Sequence, residues 1–219
     1  MCDKRLFQPQ LDALSRDYAC AVHITANRSL AAMAQAVLFV APPRFALAGL
    51  SMGGILALEI MAQAPERVQR LALLDTTARA DAPANHAIRT RQIEDVLAGK
   101  LDDVMRHELK PAYLVDSPEK PAILDLCLDM ARSLGPKVFQ DQSIALRDRA
   151  AYTHILGQIK VPTLVLCGAE DRLCPPKLHD DLHAGIKGST LVKIDHAGHL
   201  PTLEQPRATT AALEKWLKE

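Results

Sequence analysis

The sequence lacks any apolar run long enough to cross a bilayer as a helix. It also lacks an excess of either charge, with Lys+Arg and Asp+Glu at 26 each. Nothing therefore points to nucleic acid or an anionic membrane as a partner. The opening Met1-Cys2-Asp3-Lys4-Arg5-Leu6 has no apolar core of the signal-peptide kind. The five cysteines, Cys2, Cys20, Cys127, Cys167 and Cys174, are odd in number and scattered, with no C-x-x-C pair. That excludes a paired-cysteine zinc or redox motif and leads to free thiols, most of them small buried apolar residues, in a reducing cytoplasm. Internal repeats and low-complexity segments are missing. So are a P-loop, a G-x-G-x-x-G and an H-E-x-x-H, so no cofactor and no metal is expected.

What is present is a chain of 219 residues, 48% hydrophobic, enough for one substantial core with room for an insertion. Its organising stretch runs from Arg44 to Met61. Phe45 to Ala48 is a short apolar run of the kind buried on both faces of a sheet. Gly49-Leu50-Ser51-Met52-Gly53 follows at once, and the apolar, Pro-free run to Met61 starts a helix. A strand, a tight turn and a helix leave Ser51 at the apex, with Gly49 and Gly53 as the positions that must lack a β-carbon. The Met52 amide, at the helix N-terminus, is free to bind an oxyanion.

Around that stretch the pattern predicts a short helix over Leu6–Leu14 and a strand over Tyr18–Thr25. A helix capped by Ser29 and ended by Pro42-Pro43 comes next. Pro65-Glu66-Arg67 breaks the Ser51 helix, and Val68–Leu74 is a buried strand ending at Asp75. From 78 to 160 the spacing becomes helical, with helices over His86–Ala98, Leu101–Leu109, Pro121–Ser133 and Lys137–Arg147, separated by Pro111, Pro118, Pro121 and Gly135-Pro136. Alternation then resumes with a strand over Val161–Cys167, a helix over Lys177–Ile186, a strand over Thr190–Ile194, a long loop to Pro206 and a final helix over Arg207–Lys218. The expected fold class is α/β, a mostly parallel sheet with helices on both faces. Residues 1–77 and 161–219 would form the core, and residues 78–160 an inserted helical cap.

A serine hydroxyl needs an adjacent base held by a third group. Loops at strand carboxyl ends supply both: Asp171 after Val161–Cys167, and His199 after Thr190–Ile194. With Gly-Leu-Ser-Met-Gly-Gly, Pro162-Thr-Leu-Val-Leu-Cys-Gly-Ala-Glu-Asp171 and Gly198-His199-Leu-Pro-Thr-Leu-Glu204-Gln-Pro206 in that order, the chain resembles the α/β-hydrolase fold superfamily from about Tyr18 onward. The resemblance implies Ser51 as nucleophile, Asp171 as acid, His199 as base and the Met52 amide as an oxyanion donor. It implies acyl transfer on a small-molecule substrate, an ester or a lactone. Thioesterases, C–C bond hydrolases and lyases on the same triad are the alternatives, as is a truncated, weakly active or inactive hydrolase-like protein.

Each residue has a rival. Asp75 also ends a strand and could supply the acid. His196 competes with His199, but the Leu-x-x-Leu-Glu-x-Pro that follows His199 favours the latter. His23 reads as packed or hydrogen-bonded within its strand. His179 and His183, four apart, read as a solvated helix face rather than a metal pair. Arg89, Arg91, Arg132, Arg147 and Arg149 could bind a substrate carboxylate, although most helix arginines simply face water.

Superfamily members usually begin with strands ahead of anything seen here, one of which ends in the loop that gives the second oxyanion amide. That strand would lie between the Tyr18–Thr25 and Ser51 strands, so its neighbours are expected to have unpaired ladder groups. The 219 residues alone are accordingly expected to be poorly soluble and weakly active, with Met1 or Cys2 as a poor second donor.

Overall fold

The computed structural model describes residues 1–109 and 113–219. Four strands form one sheet: β1 (Phe45–Leu50), β2 (Val68–Leu74), β3 (Thr163–Gly168) and β4 (Thr190–Ile194). They are parallel and lie in the order β1-β2-β3-β4. β3 is buried at every residue, as its unbroken apolar run requires.

Alternation along the strands sends side chains to two separate cores. On one side Leu71, Leu73 and Val165 pack with residues of α2 (Leu30–Val40), α3 (Met52–Gln63) and α7 (Pro176–Gly185). On the other, Ala72, Leu74, Leu164 and Leu166 pack with α1 (Gln8–Leu14) and α9 (Pro206–Lys218). Trp216 of α9 fixes that second face and donates its indole N–H to the Pro162 carbonyl at 3.2 Å. Helices thus cover both faces of a parallel sheet, as the sequence leads one to expect.

The ends of the elements follow local chemistry. The Ser29 hydroxyl accepts the Ala32 amide at the start of α2. Beyond its other end, Arg67 donates to the carbonyls of Leu38, Ala41, Pro42 and Pro43, and its guanidinium lies over the Phe45 ring. β2 and β4 have the bounds expected from the apolar pattern. The loop expected from Asp195 to Pro206 contains a four-residue helix, α8 (Pro201–Glu204), begun by a proline at its first position.

One expected strand is not formed. Tyr18–Thr25 has no strand structure, and Ala19, Cys20, Ala21, His23 and Ile24 are exposed. A strand needs a ladder partner, and among the described residues none lies beside it. The outer edge of β1 likewise has no partner among the described residues, and Ala46 and Ala48 are exposed.

Between β2 and β3 the described residues carry no strand. They hold α4 (Pro83–Leu97), α5 (Leu101–Asp103) with a π-helical turn over Val104–Leu109, α6 (Lys120–Arg147) and a 3₁₀ turn over Thr153–Gln158. The two helices expected over Pro121–Ser133 and Lys137–Arg147 are one element with a sharp kink. Gly135 stands at φ 80°, and Pro136 follows inside the helix. Pro111, expected to separate two helices, lies outside the described residues. Ile93, Val96, Val104, Met105, Leu128, Ala131 and Phe139 give these helices a small core of their own.

Candidate active site

The registers Leu50↔Leu74 and Leu74↔Leu166 bring the carboxyl ends of β1, β2 and β3 level, and Gly168↔Ile194 joins β4 to them. Ser51, Asp75 and the two loops after Gly168 and Ile194 therefore emerge along one rim. Ser51 sits between β1 and α3 at φ 55° and ψ −117°, a strained conformation for a residue with a β-carbon. β2 holds it there. The Ser51 amide donates to the Leu74 carbonyl at 2.8 Å, and the Thr76 hydroxyl donates to the Ser51 carbonyl at 2.7 Å.

A Cβ on Gly49 would meet the Gly53 carbonyl oxygen at 2.1 Å, so this turn admits only glycine there. The second glycine with that requirement is Gly54 rather than Gly53. A Cβ on Gly54 would lie 2.6 Å from Thr76, whereas one on Gly53 would meet nothing within 4 Å. The contact comes from β2, and no spacing within the motif reports it.

Ser51 Oγ lies 2.8 Å from His199 Nε2, and His199 Nδ1 lies 2.8 Å from Asp171 Oδ2. His199 and Asp171 are both almost wholly buried. Asp171 Oδ1 accepts the Leu173 amide at 2.8 Å and the Cys174 amide at 3.0 Å. Burial works to raise the Asp171 pKa. The hydrogen bond and charge of His199, with the two amides, outweigh it and hold the carboxyl below its ordinary range. Met52 is the first residue of α3, so its amide is among those without an acceptor inside the helix.

The loop carrying His199 is pinned from two sides. Its amide donates to the Tyr113 carbonyl at 2.6 Å, and the Tyr113 ring meets the imidazole edge-on with centroids 5.0 Å apart. Glu204 gathers three amides: Gly198 at 3.0 Å, Leu200 at 3.0 Å and Val115 at 2.9 Å. One carboxylate thus brackets His199 in sequence and ties it to the segment between β2 and β3. Burial raises the Glu204 pKa, opposed by the three amides. The motif drew attention to Glu204 without giving it a task, and only the tertiary contact to Val115 does so.

The rivals fall elsewhere. His196 is exposed at φ 56°. His23 is exposed rather than packed, because the strand meant to carry it does not form. His183 is exposed as expected, its Nδ1 lying 2.8 Å from the Ser189 hydroxyl. His179 reverses the expectation of a solvated face. It is fully buried, and its Nε2 accepts the Thr76 amide at 2.9 Å. Burial pushes its pKa down to about 4, so the imidazole is neutral and holds the residue that holds Ser51. Asp75 is fully buried beside Asp171, and its Oδ1 accepts the Gly168 amide at 2.9 Å. All five cysteines are described, and Cys127, Cys167 and Cys174 are buried. Burial pushes the Cys167 thiol up to about 12 and the Cys174 thiol higher still, so neither is a thiolate near neutrality.

The family described as the Alpha/beta hydrolase family matches residues 10–213. The chain belongs to the alpha/beta hydrolase family. Among curated relatives, a pimeloyl-[acyl-carrier protein] methyl ester esterase of Neisseria meningitidis is 30% identical over 168 residues, covering 74% of this chain and 65% of the relative. The chain thus spans about two thirds of the length of the curated relatives it first matches. Among solved structures, a thermophilic esterase from Thermogutta terrifontis superposes with a TM-score of 0.88 at 27% identity, covering 99% of this chain and 86% of that one. The enol-lactonase of Burkholderia xenovorans shares the fold with a TM-score of 0.86 at 22% identity, covering 100% and 88%.

In this alpha/beta hydrolase the rim opens into a cavity of about 1020 Å³. Ser51, Met52 and His199 line it, as do Met1, Cys2 and, from the helices between β2 and β3, Phe139. Of the five arginines noted in that region, each is paired with a carboxylate. Arg89 and Arg149 meet Asp81, Arg91 meets Glu108, Arg132 meets Asp102 and Arg147 meets Asp148. Arg89 also lines the cavity. No described helix is long and apolar enough to cross a membrane.

Proposed function

We propose that this chain is a serine hydrolase of small carboxylic esters or lactones, acting through an acyl-enzyme. One observation carries the reading: an unbroken line of contacts, each 2.8 Å, from Ser51 Oγ through His199 to Asp171, at the open end of a cavity. In this reading Asp171, an ionised acceptor, accepts a hydrogen bond from the Nδ1–H of His199, which fixes that tautomer and leaves Nε2 free as the base. His199 removes the Ser51 proton as Oγ attacks the carbonyl. The charge that develops on oxygen rests on the Met52 amide, a donor worth about 2.7–4 kcal/mol to such a step. His199 then protonates the leaving alcohol, and water releases the acyl group by the same steps. No metal or cofactor enters any step.

Residues 78–160 act as a cap that closes the acyl side of the cavity, with Phe139 and Met105 as its apolar lining. The substrate class draws support from relatives named an esterase and an enol-lactonase. An uncharged small acyl substrate suits the apolar wall and the balanced charge of the chain. The odd number and scatter of the cysteines favour a reducing cytoplasm as the setting. A panel of activated esters and lactones, assayed with the parent and Ser51→Ala, tests the function. Turnover of at least one class that the substitution abolishes is expected. Turnover that survives Ser51→Ala would place the chemistry elsewhere.

A further inference from the structure

Behind the line from Ser51 to Asp171 lies a second carboxyl that the mechanism above does not use. Asp75 follows β2 at φ 43°, a backbone conformation that costs energy for a residue with a side chain. It is fully buried, and its amide donates to the Leu166 carbonyl at 2.9 Å. Oδ1 accepts the Gly168 amide at 2.9 Å, while Oδ2 has no donor although no water can reach it. Gly168 ties the two acids together, donating its amide to Asp75 Oδ1 and accepting the Asp171 amide on its carbonyl at 3.3 Å, and Asp171 bears on the Asp75 carboxyl both by charge and by a side-chain hydrogen bond.

Two carboxylates cannot hydrogen-bond to each other, since both only accept. A contact between them is favourable only when one carries a proton. Asp171 has three N–H donors, from His199, Leu173 and Cys174, and these favour its charged form. Asp75 has one. The other ionisable groups around Asp75 do not supply a positive charge. Glu204 is a third carboxyl, Cys167 and Cys174 are protonated thiols, and His179, reached through the Thr76 amide, is neutral.

We propose that Asp75 is a carboxylic acid at neutral pH and donates its O–H to the Asp171 carboxylate, as a positioning residue for the base. This rests on the triad reading given above. The donated proton fixes the Asp171 carboxylate in the plane that His199 needs. It also occupies a lone pair that would otherwise compete for the imidazole proton. Burial is the largest cause that pushes the Asp75 pKa well above the carboxylate range, followed by the charge of Asp171.

Asp75→Asn keeps both contacts, since its amide oxygen accepts from Gly168 and its NH₂ donates to Asp171. Asn also tolerates a positive φ. Asp75→Ala removes both. The expected result is kcat/KM within a few-fold of the parent for Asp75→Asn, with the midpoint of its acid limb unmoved. For Asp75→Ala, kcat should fall about 10- to 100-fold, the worth of one hydrogen bond to a charged group, at little changed KM. Infrared difference spectra of the parent against Asp75→Asn at neutral pH should contain the C=O stretch of one buried carboxylic acid. That measurement needs no turnover, so it stands whether or not Ser51 proves to be the nucleophile. If the spectra lose a carboxylate band instead, Asp75 is ionised and the proposal fails. It fails equally if the acid limb of Asp75→Asn moves to lower pH, because that is what removing a negative charge near the base would do. An Asp75→Asn enzyme as impaired as Asp75→Ala would show that the donated hydrogen bond is not what matters.

Discussion

Ser51 is held in an unfavourable backbone conformation by residues that are not its neighbours in sequence. Thr76 holds its carbonyl, Leu74 its amide, and His179 the amide of Thr76. Gly49 makes the turn possible. Gly49→Ala would drive a methyl group into the Gly53 carbonyl, an atom of the backbone that cannot swing aside. A loss of about 1–3 kcal/mol in denaturant unfolding is expected, together with loss of turnover. Glu204→Gln replaces an oxygen facing amide donors with an NH₂ group. It should cost about 1–3 kcal/mol of stability and lower kcat more than it raises KM. Unfolding curves and initial rates at saturating substrate check both parts. At this scale much was legible: Ser51, Asp171 and His199 stand out because each lies in a short motif at a strand end. The second obligatory glycine, the task of Glu204 and the burial of His179 were not. Each depends on a partner far along the chain, respectively Thr76, Val115 and Thr76 again.

The elements show why some boundaries can be read and others cannot. β3 is buried on both faces along its whole length and β2 from Leu71 to Leu74, and β2 begins and ends where its apolar residues do. Tyr18–Thr25 has the composition of a strand, but a strand is completed by its neighbour and the described residues offer none. The same reason leaves β1 with one side unpaired, and small exposed residues at Ala46 and Ala48 do nothing to blunt that edge. Edge-to-edge association at high concentration is therefore expected. Ala46→Lys should reduce it, as read by light scattering over a concentration series, with little effect on the unfolding midpoint. Equal scattering by the two proteins would mean that β1 is not the sticky edge. The kink in α6 is a milder case. Gly135-Pro136 marked the break correctly, but only the structure has the two halves continue as one bent helix.

Across the whole molecule, buried ionisable groups set how stability responds to pH. His179 is neutral in the folded chain down to about 4, whereas an unfolded histidine takes its proton at about 6.5. Between those values the unfolded chain binds a proton that the folded one refuses, so stability falls as pH drops through the window. The full loss from this residue is on the order of 3 kcal/mol. Asp171, held below its ordinary range, adds a loss in the same direction at lower pH. Asp75, whose pKa burial raises, keeps a proton in the folded chain that the unfolded one gives up, and so works in the opposite sense. The His179 share is therefore read as a difference: His179→Gln, whose amide oxygen can still accept from Thr76, should keep more of its neutral-pH melting temperature at pH 4 than the parent does. Parallel curves for the two proteins would mean that His179 is not the group titrating.

The central claim is that Ser51 attacks the substrate, and covalent labelling tests it most directly. The folded protein is treated with a serine-directed phosphonate, digested and read by mass spectrometry, alongside His199→Ala treated in the same way. Label on Ser51 of the parent, and its near absence from the variant lacking the base, is the expected result. Label on a different serine, or none on protein shown to be folded, would contradict it.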